Sequence, residues 1–290
     1  VVTNVDGKGV VMGGLTEKLD NLNLDEVTRK NIIEWATDLY YDIDTRNLVI
    51  DLVDRAQNDK AVREELINNF YTSLEFGTAG LRGIIGVGPN CMNVYSVRKA
   101  TQGLCNEINK SDSKNPSLVI GCDTRNFSPE FSLETALVAA ANGIKVYLYD
   151  STRPVPLLSH AVRYLKTSAG VVITASHNPK EYNGYKVYGA TGTQVTAPRD
   201  TNIINEVNAI TDPVNQVKTI SKEQAIAEGL LLDVPKDVDE HYYQQIMDSA
   251  INPDIVSKVN KDLSIVYTPL HGSGNVPVRE VLKRAGYENV

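Results

Sequence analysis

Three short apolar runs constrain this 290-residue chain more than any other feature: "SLVIGCD" (117–123), "IKVYLYD" (144–150) and "AGVVIT" (169–174). Each is short and rich in β-branched residues, so each reads as a buried strand. Val97, Ala100, Leu104 and Ile108 recur at helical spacing before the first run. After it, Ser128-Pro129-Glu130 reads as a helix start, with a capping hydroxyl, Pro at the first helical position and an acid in the first turn; Gly143 fits the C-terminal cap. "PVPLLSHAVRYL" (154–165) supplies a helix between the second and third runs. Strands alternating with helices through short connections predict an α/β layer fold with a mixed, largely parallel sheet.

The flanks read differently. Residues 24–72 carry helical periodicity, with Val27, Trp35 and Leu39 predicted on one face and Thr45 and Asp59 as N-caps. Five glycines within 77–88 forbid a regular helix and predict a loop or strand pair with close backbone approaches. "YNGYKVYGATGTQVT" (182–196) reads as strand, turn and strand, with Asn183-Gly184 as a turn that folds the chain back. A helix is predicted from "APRDTNIINEV". The pattern weakens over 211–238, which places a boundary there. A helix ("DEHYYQQIM"), a strand ("LSIVY"), a loop ("TPLHGSGNVP") and a helix ("VREVLKRAG") then open a second α/β unit. The expected organisation is a helical N-terminal extension over 1–72, a first α/β domain over 73–212 and a second, truncated unit over 213–290. The final "RAGYENV" stops where a further strand is expected to begin.

Composition narrows the partners. The formal net charge is −7, without the clustered positive charge that nucleic acid or an anionic membrane surface requires, so neither is an expected partner. A small anionic substrate remains compatible, because a site can be locally basic. The three cysteines, Cys91, Cys105 and Cys122, form no C-x-x-C pair and predict neither a disulfide framework nor a zinc site; a reducing cytoplasm is the expected location. No apolar stretch reaches the roughly 20 residues of a membrane span.

Three motifs carry chemistry. "TASHNP" (174–179) follows the third apolar run, and ligands of open α/β sheets bind beyond the carboxyl ends of strands. Ser176 is there either as a nucleophile or as part of a turn before Asn-Pro. His177 is its immediate neighbour, so the pair makes no triad, and the G-x-S-x-G elbow is absent. "FGTAGLRG" (76–83) sets Arg82 among glycines, a pattern that lets backbone amides and a planar cation approach an anion. The other reading is a tight turn with a solvated arginine. Lys186 lies ten residues after Ser176 and is either a proton carrier near that serine or a strand lysine facing water. "DTR" (123–125) reads as a helix-capping network, and "TPLHGSG" as a structural turn in which His271 fixes the loop.

Together, "FGTAGLRG", "TASHNP" and "NGYKVY" resemble the α-D-phosphohexomutase superfamily, in particular its phosphoglucomutase and phosphomannomutase members. "GTAGLRGIIGVGPNCMN" followed by "VRKATQGL" is similar to the long phosphoglucomutase/phosphopentomutase branch, which carries a helical N-terminal extension. The resemblance runs from about residue 45 to residue 290. It implies that 73–212 is domain I with the phosphoserine loop and 213–290 part of domain II. It implies that Ser176 carries a phosphoryl group, that Arg82 contacts it, that Lys186 transfers a proton and that His177 helps shape the loop. Thr78 and Gly80 are expected to shape the first loop and, with Asn178, to bind phosphate. The implied reaction interconverts glucose 1-phosphate and glucose 6-phosphate through a sugar bisphosphate, with Mg²⁺ as metal and glucose 1,6-bisphosphate as activator. Of the metal's ligands, only Ser176, through its phosphoryl oxygen, is named by the resemblance.

The family's Asp-rich metal loop, D-G-D-x-D-R, is not found in these 290 residues, nor are its sugar-recognition and phosphate-clamp loops. The chain is therefore expected to hold the phosphoserine half of the site and not to isomerise sugar phosphates alone. Pentose phosphates and mannose phosphates are the alternative substrates. A non-catalytic phosphosugar-binding protein and a serine hydrolase are the readings from other classes.

Overall fold

The structure, a computed structural model, describes residues 8–77, 80–111 and 114–290, so Thr78 lies outside the described residues. The helical extension comprises α1 (Lys8–Asp20), α2 (Glu26–Thr37), α3 (Ile43–Ala56) and α4 (Lys60–Phe70). Next come β1 (Gly80–Ile84), α5 (Val94–Lys110), β2 (Ser117–Cys122), α6 (Ser128–Ala141), β3 (Lys145–Leu148), α7 (Val155–Leu165), β4 (Ala169–Ile173) and β5 (Tyr182–Gly189). The chain continues through α8 (Arg199–Asn208), α9 (Pro213–Gln216), α10 (Lys222–Ala227), β6 (Leu231–Asp233), α11 (Lys236–Asp248), α12 (Asp254–Val259) and α13 (Asn275–Arg284).

The six strands form one sheet in the order β1-β5-β4-β2-β3-β6. β4, β2, β3 and β6 run parallel, whereas β5 is antiparallel to both β4 and β1. Side-chain alternation gives the sheet two buried faces. Leu118, Ile120, Val171, Ile173 and Tyr185 face a core shared with α5, α6 and α8. Val119, Val172 and Tyr188 face a second core completed by Leu158 and Val162 of α7 and Val238 of α11. The result is the expected three-layer α/β fold.

Connectivity places the site. From β2 the chain passes through α6 to β3 on one face. From β3 it returns through α7 on the opposite face to β4, on the other side of β2. The carboxyl ends of β2 and β4 are therefore adjacent where the winding reverses, the position at which open α/β sheets leave a crevice.

The helical extension packs around its own core of Ile32, Trp35, Val53, Leu66 and Phe70, joined by Tyr95 of α5. The Tyr95 hydroxyl accepts from Asp42 N at 2.7 Å and donates to Asp42 Oδ2 at 2.7 Å, tying extension to domain. Val27 and Leu39 do not share the buried face: they are exposed, and Thr28, Ile32, Trp35 and Ala36 form it instead. Val27 precedes that i, i+4, i+7, i+8 stripe by one residue, about 100° around the helix, and Leu39 lies past the helix end. Asp59 caps α4 as expected, but α3 is capped by Asp42, with Thr45 donating its backbone N–H to it.

Other expectations need correction. Ser128 is the first residue of α6 rather than its cap, because its hydroxyl is committed to Asp123; Phe127 takes the cap position at φ 63°. Asn183-Gly184 lies within β5 and makes no turn. "LSIVY" pairs with no strand among the described residues, and Val266 within it is 96% exposed. The sheet also takes β6 from beyond residue 212, and α11 docks through Arg153 and Tyr149, which both bond Asp239. The three cysteines are free and buried, and burial pushes the Cys91 thiol up to about 12. No helix among the described residues is long and apolar enough to cross a membrane.

Candidate active site

The eight residues between β4 and β5, 174–181, carry Ser176 past the carboxyl end of β4. Ser176 holds φ 56°, in the left-handed region that a residue with a Cβ seldom occupies. Its backbone N–H donates to Thr174 Oγ1 at 2.9 Å, a Thr turn that starts the reversal. Ser176 and His177 are exposed and Asn178 is half-buried.

β5 brings the cation. Lys186 pairs across the sheet with Val172 of β4 and Gly80 of β1, and its Nζ donates to Ser176 Oγ at 2.7 Å. The strand pairing, not the Asn183-Gly184 turn, makes this contact. Burial, followed by the nearby Arg82 charge, holds the Lys186 ammonium below the usual lysine range. Arg82 sits two residues along β1 from Gly80, on the same strand face as the position opposite Lys186. Its Nη1 donates to Asn178 Oδ1 at 3.1 Å. Ser176, Asn178, Arg82 and Lys186 are thus gathered from three elements onto one edge of the crevice.

Two glycines make this closeness possible. Gly80 holds φ 126°, and a Cβ there would fall 1.7 Å from the Tyr185 carbonyl oxygen. A Cβ on Gly184 would lie 2.6 Å from Thr174 O and 2.9 Å from Leu81 O, both backbone atoms. Gly80 therefore leaves no room for a side chain where β1 packs on β5. The His177 side chain makes no hydrogen bond to another described residue.

The loop after β2 supplies residues whose pattern in sequence reads only as a helix cap. Arg125 Nη2 donates to Ser176 O at 3.0 Å and Asn178 O at 2.6 Å, and its Nη1 donates to Pro179 O at 2.8 Å and Tyr182 O at 3.0 Å. Asp123 Oδ2 accepts from Thr174 Oγ1 at 2.6 Å and stands 3.4 Å from Arg125 Nε. The signal available in sequence is an Asp-x-Arg ending a strand parallel to the one that carries the serine.

Chemically, the cluster offers a hydroxyl oxygen, a lysine able to exchange a proton with it, and a planar cation for an anionic group. It does not make a Mg²⁺ site. Ser176 is one oxygen beside two cationic side chains, and no group of three or more His, Cys, Asp or Glu side chains among the described residues is placed to hold a metal ion.

Residues 73–213 match the family model for the phosphoglucomutase/phosphomannomutase α/β/α domain I. Over 222 residues the chain is 41% identical to a phosphoglucomutase of Staphylococcus haemolyticus, covering 76% of this chain and 39% of that protein. It is 37% identical over 232 residues to the phosphoglucomutase of Staphylococcus aureus (strain MRSA252), covering 80% of this chain and 40% of that one. The chain therefore spans about two fifths of the length of these relatives. In fold it is similar to a protein of Thermus thermophilus described as a phosphomannomutase (TM-score 0.59, 24% identity, 75% of this chain and 45% of that chain). It is also similar to the open form of Paramecium pp63/parafusin, a phosphoglucomutase (TM-score 0.56, 18% identity, 75% and 43%). Residues 73–213 are an α/β/α domain I of the phosphoglucomutase/phosphomannomutase family.

Proposed function

We propose that this chain provides the phosphoserine part of a sugar-phosphate mutase that interconverts glucose 1-phosphate and glucose 6-phosphate, with Ser176 as the phosphoryl carrier. The observation that carries the reading is the 2.7 Å hydrogen bond from Lys186 Nζ to Ser176 Oγ, beside Arg82.

In the forward half-reaction a sugar hydroxyl attacks the phosphorus of phosphoserine. The new O–P bond forms as the P–Oγ bond breaks, the sugar hydroxyl gives its proton to solvent water, and Lys186 protonates the departing serine oxygen and is left neutral. The product is a sugar bisphosphate. In the return half-reaction neutral Lys186 takes the Ser176 proton while Oγ attacks the other phosphate of the bisphosphate; the bond from that phosphorus to the sugar oxygen breaks, and the freed oxygen takes a proton from solvent water. A lysine pKa held down by burial and by Arg82 suits this two-way exchange. Arg82, a permanently charged fork, stabilises the charge that spreads over the phosphoryl oxygens during transfer. His177 is proposed to shape the loop mouth, and Gly80 and Asn178 to line the phosphate position.

Replacing Ser176 with Ala in the complete gene product tests the proposal. Conversion of glucose 1-phosphate, followed through a coupled glucose 6-phosphate dehydrogenase, should fall to background while circular dichroism stays unchanged. Retained turnover would remove Ser176 from the reaction.

A further inference from the structure

Arg125 is half-hidden in sequence, since a charged side chain just past a strand reads as a solvated cap. In the structure its side chain is 12% exposed, and its partner Asp123 is 14% exposed. All four hydrogen bonds from its two terminal nitrogens go to main-chain carbonyls: three of the serine loop (Ser176, Asn178 and Pro179) and that of Tyr182, the first residue of β5. Few residues have the donor geometry to do this: the guanidinium is flat, has five N–H groups in a fixed fork, and stays charged.

Asp123 connects the guanidinium to the other end of the loop. One carboxylate oxygen accepts from Arg125 N at 2.9 Å and Ser128 Oγ at 2.9 Å. The other accepts from Thr174 Oγ1, which in turn accepts from Ser176 N. Ser176 is therefore held on both sides of its Cα. Its N–H reaches Asp123 through Thr174, and its C=O is bonded by Arg125. Fixing those two peptide groups fixes φ and ψ of the residue between them. That matters here because the left-handed region is costly for a non-glycine residue and is kept only where the surroundings impose it.

We propose that Arg125 is a positioning residue for Ser176: with Asp123 and Thr174 it forms a clamp that sets the serine backbone in the left-handed conformation and so aims Oγ at Lys186. The proposal rests on Ser176 being the phosphoryl carrier. The clamp has an electrostatic side as well. Carbonyl oxygens are the negative ends of peptide dipoles, and four of them engaged by a guanidinium are not free to face the anion that Ser176 would carry.

Arg125→Lys is the informative variant, because it keeps the charge but cannot span four carbonyls. In the complete gene product, kcat should fall roughly 10- to 100-fold, the scale of a small misplacement of a reacting group. KM should stay within about threefold, because the sugar contacts are untouched. On the 290-residue chain, the HN–Hα coupling and backbone chemical shifts of Ser176 should report positive φ in the parent and an averaged loop in Arg125→Lys. Asp123→Asn serves as the second variant and decides the matter if Arg125→Lys does not fold; it should lower kcat less, with KM again held. Parent-like kcat in both folded variants, or an unchanged positive φ in Arg125→Lys, would overturn the clamp. If the parent never acquires phosphate on Ser176, the mutase reading fails, and the backbone measurement alone then judges the clamp.

Discussion

Two loops in this chain begin alike and end differently. "TASH" at 174–177 and "TPLH" at 268–271 each place a threonine two residues before a non-glycine residue with positive φ: Ser176 at 56° and Leu270 at 49°. In each, the threonine hydroxyl accepts the backbone N–H of that residue, at 2.9 Å and 3.2 Å. The likeness stops there. The first loop leaves a strand buried between two others, and its carbonyls are taken up by Arg125. The second follows an unpaired stretch, and Leu270 is 81% exposed. Its His271 carbonyl accepts from Thr124 Oγ1, in the loop after β2. A local turn motif thus sets a backbone shape, but only neighbouring strands and a second loop turn that shape into a site.

Stability should separate the two loops most sharply. Ile173, wholly buried one residue before the first loop, should cost about 2–5 kcal/mol when replaced by Ala, whereas Leu270→Ala should stay within about 0.5 kcal/mol. Urea melts of both variants check this, and equal losses would mean that the two loops rest on equally buried supports. Chemistry should separate them next. Arg82→Lys keeps the charge and loses the fork, so kcat/KM in the complete gene product should drop by roughly 2.7–4 kcal/mol of transition-state stabilisation, the scale of an oxyanion-hole donor. Steady-state rates within a few-fold of the parent would make Arg82 a turn residue. Backbone crowding gives a smaller contrast. Gly184→Ala drives a Cβ into two carbonyl oxygens and should cost about 1–3 kcal/mol. Gly272→Ala, whose Cβ would lie 3.1 Å from Pro269 O, should cost less than about 1 kcal/mol in the same melts.

The smallest effect is electrostatic. The positive Arg82 disfavours a second positive charge on Lys186, so Arg82→Gln should raise the Lys186 titration midpoint while burial keeps it below the usual lysine value of 10.5. Where neutral Lys186 takes the serine proton, the rising limb of the pH–rate profile should move to higher pH in that variant. Nitrogen-detected NMR of the lysine ammonium follows the titration, and a midpoint that falls or stays put would contradict the assigned cause.

Much of this was legible in the sequence. β2, β3 and β4 are apolar runs of strand length, and Ser176, Arg82 and Lys186 lie in distinctive motifs. What stayed hidden depends on contacts between distant segments. Asn183-Gly184 reads as a turn, yet the glycine is needed inside a strand, where Thr174 O and Leu81 O press on it. "LSIVY" has the composition of a strand, but pairing belongs to the neighbours: among the described residues Ile265 N donates to Asn289 O at 2.9 Å, and no strand lies alongside it. Arg125 acts on main-chain carbonyls more than 50 residues away, and no side-chain pattern encodes carbonyls.

We propose that Ser176, bonded by Lys186 and held in a left-handed conformation, carries the phosphoryl group. Incubating the complete gene product with glucose 1,6-bisphosphate and mapping its peptides by mass spectrometry tests this most directly. One phosphate is expected, located on Ser176 and lost to the sugar when glucose 1-phosphate is added. Phosphate on any other residue, or catalytic turnover with Ser176 never modified, would contradict it.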